Sequence, residues 1–416
     1  METRRLPLEV LAHAGRLLLE YNESTDEIQH ALTTTANSLT DDVCDVAVSY
    51  GSITVSLGAD GPLRTPVPEL RFNMAVQARV HSILEELRRG DLNPAAALAQ
   101  LKRAESDAPR HSRWTVILML GGAAACLALL LGADVGAALS GGLATGLGLA
   151  ARRELGRRHF SLLTLPFVAA LIGAAIGGVT TRMGWTTTPG LALIVPALVL
   201  VPGPQFINGL LDVFDNYLPM SMARLVLALS IVTAAALGTI VGVELTLQEI
   251  PDAAQGSGGV RLNFLLDMLL AGLVACGFAA AYNTMWGHLA MAAVGGAVGH
   301  GVRYLALESG WNFDTATFLG SFAVGIVSAW IARLTKAPVA VIAYAGAVTM
   351  IPGLPIYRAL GGVLRLARLG DTADSPLLAA TLGHAFQACV VIGVLALGLV
   401  VAVRSVKFFG VFAKVL

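Results

Sequence analysis

From Trp114 onward, apolar runs follow one another almost without pause, each long enough to cross a hydrocarbon core of about 30 Å. They occupy residues 114–131, 135–151, 162–179, 189–201, 223–245, 262–281, 285–305, 315–334, 338–351 and 377–403, which predicts about ten membrane-spanning helices. The fourth and ninth are short, and both end in Pro-Gly. Residues 1–113 keep a different rhythm: helical spacing over 7–21 and 24–38, strand-like segments at 43–50 and 52–57 around Gly51, then helical spacing over 71–89 and 94–103. The pattern predicts an all-α polytopic membrane protein with a small N-terminal α/β domain at 1–113. The membrane part divides into 114–246 and 262–416, joined by an acidic, glycine-rich loop at 247–261.

Composition agrees with this reading: 55% of the 416 residues are apolar and only 13% charged, against about 45–50% and about 25% in soluble domains. The mean hydropathy is +0.70. Acidic and basic residues balance at 28 each, so no global positive field points to nucleic acid as a partner. Cys44, Cys126, Cys276 and Cys389 are far apart and form no CxxC, which fits packing residues rather than a metal site or a disulfide. The first fifteen residues hold two arginines but no unbroken apolar stretch, so they do not read as a signal peptide, and the N-terminal domain is expected in the cytoplasm.

Arginine placement sets the orientation. Arg152, Arg153, Arg157 and Arg158 lie between the second and third runs, and Lys102, Arg103, Arg110 and Arg113 precede the first; both groups belong on the cytoplasmic face of an inner (plasma) membrane. An even number of crossings returns the C-terminal tail, with Arg404, Lys407 and Lys414, to the same side and places the 247–261 loop outside. Arg358, Arg365 and Arg368, after the ninth run, then fall on the outer side, against the usual bias.

Two segments resemble each other. Twelve residues separate Pro189 from Pro202-Gly203, and thirteen separate Pro338 from Pro352-Gly353; in each case an apolar stretch leads into the Pro-Gly and an amphipathic stretch follows. Each is fourth in a group of five runs, and because five is odd the groups cross in opposite senses, as two inverted five-helix repeats. That arrangement sets one break nearer the cytoplasm and its twin nearer the outside. Proline lacks an N–H and glycine tolerates unusual dihedrals, so such breaks free backbone groups at membrane depth, where they are tolerated only against protein or a water-filled cavity. Interrupted helices at matching places of two halves point to a transport site.

The segments VPGPQFINGLLDVFDNYLPMSMARL, MIPGLPIYRAL and LLLEYNESTDEIQHAL resemble the threonine/serine exporter family over nearly the whole chain. The resemblance implies ten spans, a cytosolic N-terminal domain and secondary export of small hydroxy amino acids driven by the proton-motive force; split two-chain relatives are associated with dicarboxylates such as succinate. Its first motif lands on Pro202, Gly203, Asn208, Gly209 and Asp212, and its second on Pro352, Gly353 and Tyr357. Two positions depart from the family pattern: Asn22 and Met222 stand where glycine is common.

Ionisable residues within membrane runs call for partners or a function. Asp212, between Leu211 and Val213, and Asp215 follow the first break and suit an α-ammonium group or a proton, although a solvated turn explains Asp215 equally well. Asp267 interrupts the sixth run and is the leading proton-titrating carboxylate, with interhelical hydrogen bonding as the simpler role. His384 shares a helical face with Gln387 and reads either as a proton carrier or as a buried hydrogen-bonding histidine. His288 and His300 stand among glycines and alanines that suit close packing. The substrate-binding set is thus Pro202, Gly203, Asn208, Asp212, Pro352, Gly353, Tyr357 and Arg358, and the proton-coupling set is Asp267, Asp212 and His384. No metal, cofactor or catalytic motif is expected. The expected partners are a small amino acid, protons and the lipid bilayer, with a homo-oligomer allowed. A C4-dicarboxylate, with Arg358 as its counter-charge, is the alternative substrate. From another class, the chain reads as a membrane-anchored enzyme or receptor acting through residues 1–113.

Overall fold

The computed structural model describes residues 2–108, 110–247, 262–335 and 339–412. The N-terminal domain runs α1 (Glu2–Glu20), α2 (Thr25–Leu39), β1 (Cys44–Ser49), β2 (Ser52–Leu57), β3 (Pro62–Pro66), α3 (Met74–Arg88) and α4 (Pro94–Ser106). The strands form an antiparallel meander in which Val46 faces Val55 and Val55 faces Leu63. The third strand is not expected from sequence, since PLRTP has one large apolar residue between prolines; it serves as an edge, where proline is tolerated. Leu11, Leu17 and Leu18 of α1 form a core with Ile28 and Leu32 of α2, Ile53 and Val55 of β2, and Ile83 and Leu84 of α3.

The membrane part comprises α5 (Arg113–Leu130), α6 (Val135–Arg157), α7 (Thr164–Arg182), α8 (Pro189–Leu198), α9 (Gly203–Phe214), α10 (Leu218–Leu245), α11 (Phe264–Ala281), α12 (Trp286–Glu308), α13 (Phe313–Thr335), α14 (Val339–Ala347), α15 (Gly353–Leu369) and α16 (Ser375–Phe412). Among the described residues six helices are long and apolar enough to span a bilayer, or eight if each of two bent pairs counts as one span. The 23-residue α6 and α12 cover about 34 Å at 1.5 Å per residue, but glycine, alanine and terminal charged residues dilute their apolar character. The loop expected at 247–261 lies outside the described residues from 248 onward, as does Pro338.

The two halves repeat the same neighbourhoods. In the first, α5 packs on α6, α6 on α7 and α8, α7 on α8 and α10, and α9 on α10. In the second, α11 packs on α12, α12 on α13 and α14, α13 on α14 and α16, and α15 on α16. Small residues allow the close approaches that lipid-embedded helices rely on, since apolar burial gives helices little drive to associate in hydrocarbon. Gly238 of α10 sits against the carbonyl of Phe167 on α7, and Gly398 of α16 sits against that of Phe318 on α13.

Both Pro-Gly sites are bends inside a helix pair, of 61° between α8 and α9 and 55° between the α14 and α15 segments. Pro202 (φ −80°, ψ 74°) and Pro352 (φ −77°, ψ 57°) each centre an inverse γ-turn, closed by Gly203 N–H donating to the Val201 carbonyl (2.9 Å) and Gly353 N–H to that of Ile351 (2.8 Å). The breaks do not lie towards opposite faces, as the span count suggests; they meet. A methyl group on Gly203 would collide with Ile351, and one on Gly353 would lie 3.0 Å from Leu198 Cδ2. Neither glycine has positive φ, so close approach rather than an unusual dihedral excludes a side chain there. The amphipathic stretches that follow each Pro-Gly are the second limbs of the bent pairs.

The bundle has two distinct ends. At one, His111 N–H donates to Asn283 Oδ1 (3.1 Å), Met74 N–H to the Tyr282 carbonyl (2.9 Å) and Arg333 to the Val406 carbonyl (2.6 Å), while Arg404 pairs with Asp215. The N-terminal domain docks here. At the other, Asp134 accepts from Thr186 (3.0 Å), Thr187 (2.7 Å) and the Ala137 N–H (2.7 Å). Glu244 pairs there with Arg368. This ion pair gives one of the outlying arginines a partner at the end opposite the domain.

The glycine contacts carry a prediction. Gly238→Ala forces a methyl into a backbone carbonyl and should destabilise the purified protein by about 1–3 kcal/mol, seen as a lower melting temperature in detergent. Gly393→Ala, on α16 with nothing within 4 Å, should melt at or above the wild-type temperature.

Candidate functional site

Three helices, one in the domain and two in the membrane part, end in the same way, with an asparagine in the left-handed region: Asn22 (φ 63°) after α1, Asn216 (φ 63°) after α9 and Asn283 (φ 54°) after α11. Each is followed by an N–H that reaches back to close the helix: Glu23 to the Leu18 carbonyl (2.9 Å), Tyr217 to that of Asp212 (2.7 Å) and Thr284 to that of Ala279 (3.0 Å). Asparagine is the residue after glycine that best tolerates this conformation, which explains why Asn22 stands where glycine is expected. The other departure, Met222, is exposed on α10.

The left-handed Asn22 turns the chain sharply between α1 and α2, and the turn enters a polar seam in the membrane part. Asn208 and Asp212, four residues apart, share one face of α9, and Arg224 of α10 lies beside them, 0% exposed. Asp212 Oδ2 is 3.4 Å from Arg224 Nε, and Asp212 Oδ1 accepts from the Thr25 N–H (3.1 Å). Arg224 Nη2 donates to the Glu23 carbonyl (2.5 Å), and Asn208 Nδ2 to that of Asn22 (2.6 Å). Tyr344 of α14 donates its hydroxyl to Asn208, joining the second half to the first. The Tyr217 hydroxyl donates to Gln29 Oε1 (2.7 Å) at the edge of the seam. Within the domain, His81 Nε2 lies 3.0 Å from Glu23 Oε2. Burial alone lowers the pKa of this imidazole, but the hydrogen bond and charge of Glu23, with the charge of Glu27, outweigh it and hold His81 above its ordinary value.

A cavity of about 580 Å³ opens beside the seam. Glu23, Ser24 and His81 of the domain form one wall, and Ile207, Tyr344 and Leu399 of the membrane helices form another. A separate small pocket of about 40 Å³ lies at the breaks, lined mainly by apolar groups such as Leu198, Val201, Phe278 and Ile351. That is little more than the volume of one water. The Tyr357 hydroxyl donates to the Ala197 carbonyl (3.1 Å), tying α15 to α8 beside the breaks.

The structure brings the Pro202-Gly203 and Pro352-Gly353 breaks together, ties Tyr357 to α8 beside them, and places Asn208 and Asp212 in the seam. Arg358 is half-buried on α15 and is not part of the polar cluster. His384 is half-buried on α16 beside the exposed Phe386, and among the described residues neither Asp212 nor Asp267 is its hydrogen-bond partner. Asp267, on the first turn of α11, accepts from or donates to His300 Nδ1 on α12 at 2.5 Å. Arg303, one turn further along α12, lies over the Phe313 ring at 4.5 Å.

Sequence reasoning left out Arg224, Tyr344, Asn22 to Thr25 and His300 as site residues. Arg224 had a signal, a guanidinium inside an otherwise apolar run. His300 also had one, since a histidine three residues before Arg303 sets two polar side chains on one helical face. The turn residues had none, because nothing local tells a domain turn that it will meet an aspartate about 190 residues away.

No solved structure matches the chain. The sequence matches the threonine/serine exporter family, described as such for residues 9–246 and as "Threonine/Serine exporter, ThrE" for residues 267–404. The first match takes in the N-terminal domain, the seam and the first break; the second takes in Asp267, His300 and the second break. A family of transporters accounts for a multi-pass apolar chain and for a small-molecule substrate. With these matches extending over most of its length, the chain belongs to the threonine/serine exporter family.

Proposed function

We propose that this protein exports a small hydroxy amino acid, threonine or serine, by proton-coupled alternating access between two five-helix halves of opposite orientation. The observation that carries the proposal is the meeting of two proline-centred breaks, one from each half, at an apolar contact. Ten crossings follow if each bent pair counts once and the glycine-rich α6 and α12 are included. The matching helix contacts of the halves support a duplicated origin, and the odd number of crossings in each half supports the inversion.

In this reading the domain-bearing end is cytoplasmic, supported by Arg113, Arg153, Arg333 and Arg404 gathering there. Substrate enters the cavity of about 580 Å³ from that side. The packed breaks, with a pocket of only about 40 Å³ beside them, are the closed barrier, and their separation opens it. A bent pair offers hinges at Gly203 and Gly353 without breaking hydrogen bonds elsewhere, since the γ-turns already interrupt the helical ladder. The buried Asp267–His300 pair, towards the opposite end, suits proton exchange. A carboxylate and an imidazole sharing a proton change net charge when the proton leaves, and that change biases two conformations that solvate the pair differently.

Three outcomes test this. An impermeant maleimide applied to intact cells should label Met183→Cys, at the end of α7, and spare Asn37→Cys, on the domain's α2, in a background without native cysteines. The reverse pattern would reject the orientation. Gly203→Leu and Gly353→Leu should each lower proteoliposome flux about tenfold or more, because overpacking the contact between breaks costs about 1–3 kcal/mol in the state that needs it. Near wild-type flux for both would remove the breaks from the transport path. Asp267→Asn should abolish the acceleration given by an imposed pH gradient while threonine counterflow persists, since the amide keeps hydrogen bonding to His300 but carries no titrating charge. A full pH-gradient response in that variant would move the proton site elsewhere.

A further inference from the structure

We propose that Asp212, Arg224 and Asn208 form the receptor for the α-ammonium and α-carboxylate groups of the transported amino acid, and that the turn between α1 and α2 occupies this receptor as a tethered plug. The inference rests on the exporter reading above and adds what the N-terminal domain does in it.

The turn presents the membrane helices with the backbone groups of an amino acid. The Thr25 N–H sits on Asp212 (3.1 Å), where an ammonium would bind, and the Glu23 and Asn22 carbonyls sit on Arg224 (2.5 Å) and Asn208 (2.6 Å), where a carboxylate would bind. These groups are neutral dipoles, whereas Asp212 and Arg224 are formal charges at 1% and 0% exposure. The match is incomplete: Arg224 Nη1 is buried without a hydrogen-bond partner among the described residues, and Asp212 Oδ2 and Arg224 Nε have only each other, at 3.4 Å. A purely structural seam would be expected to satisfy such groups, because each one left unmatched is costly. A zwitterion brings three ammonium donors to the carboxylate and a two-oxygen fork to the guanidinium.

Access and tethering are both built in. Glu23 and Ser24 of the turn, with Ile207, Leu211 and Tyr344 of the membrane helices, line the cavity of about 580 Å³, so an entering solute meets the plug first, while Asn208, Asp212 and Arg224 lie covered behind it at 0–1% exposure. The Glu23 side chain points away from the receptor to His81 (3.0 Å), and the domain core is built from its own leucines and isoleucines. The turn therefore has an anchor in the domain that does not depend on its contacts with α9. While the plug is seated, substrate competes with it, and apparent affinity is reduced by the fraction of molecules in which the receptor is occupied.

One substitution removes the key contact without disturbing the helix behind it. Thr25 is the first residue of α2, a position that accepts proline because its N–H has no partner within the helix. Ser24 before it is extended (φ −66°, ψ 150°), as a residue preceding proline should be. Thr25→Pro thus deletes the N–H that Asp212 accepts. In proteoliposomes of the full chain, it should tighten apparent threonine binding about tenfold, the weight of one hydrogen bond to a charged group, and speed counterflow at low threonine. Unchanged or weakened threonine binding in Thr25→Pro would overturn the plug and make the turn a structural lock.

The receptor is tested on the wild-type protein without mutation. Threoninol, which lacks the carboxylate, and N-acetylthreonine, which lacks the ammonium, should both fail to compete with labelled threonine; competition by both at threonine's own affinity would overturn it. Wild-type protein that exchanges neither threonine nor serine would reject the exporter reading as well, so the two failures are distinguishable.

Discussion

Hydrocarbon offers no hydrogen bonds, so a chain that interrupts a helix at membrane depth must cover the interruption with protein. Much of this structure follows from that constraint applied twice. Pro202 and Pro352 each remove a backbone donor, and each break is closed locally by an inverse γ-turn. What the γ-turns leave exposed is covered by the other break: Ile351 packs on Gly203, Leu198 on Gly353, and the Tyr357 hydroxyl caps a carbonyl of α8. Each half is thus incomplete alone, and in the proposed cycle the surface that completes it is also the surface that parts for a solute to pass. Few packing errors are tolerable at such a place, which is why a side chain is absent from both glycines.

The seam obeys a related rule for charges. A buried ion pair seldom repays the desolvation of both partners unless hydrogen bonds satisfy the remaining capacity. Asp212 and Arg224 receive one such bond each from the backbone of a domain outside the bundle. The domain therefore cannot leave without exposing two charges to a low-dielectric surface or handing them to another ligand. Under the plug proposal docking and ligand binding draw on the same groups, which couples the soluble domain to the membrane helices beyond the apolar contact of Met220 with the domain core.

Helix positions were largely legible because each rests on a local period. Nearly every apolar run became a helix within a few residues of its expected ends, and the Pro-Gly pairs marked both bends. The third strand escaped because prolines masked its alternation. The meeting of the breaks was missed for a different reason: an odd number of runs in each half sets the two breaks towards opposite faces, and only the packing of Ile351 on Gly203 and Leu198 on Gly353 brings them together. Asp212 and Asp267 were visible as charges in apolar runs. Their partners were not, because Arg224, His300 and the Asn22–Thr25 turn reach them by tertiary contact, which no spacing in the sequence encodes.

The halves share architecture but not chemistry. Gly238 against Phe167 and Gly398 against Phe318 fix the register between α10 and α16, and counting back equally from each glycine reaches Arg224 in one half and His384 in the other. By the register of the two breaks, Asp212 corresponds to Gly362, which lies against Thr381. The second half therefore retains the bend and the packing but has no counterpart of the buried ion pair. The reverse holds for Asp267 and His300, whose counterparts, counted equally from the starts of α5 and α6, are the apolar Val116 and Leu149. A duplicated scaffold needs two equivalent bends to alternate between faces, but it needs substrate recognition and proton exchange only once each. In the proposed cycle they sit in different halves, at opposite ends of the bundle, so that protonation at one end biases a conformational change read at the other without the two sets of charges competing for the same space.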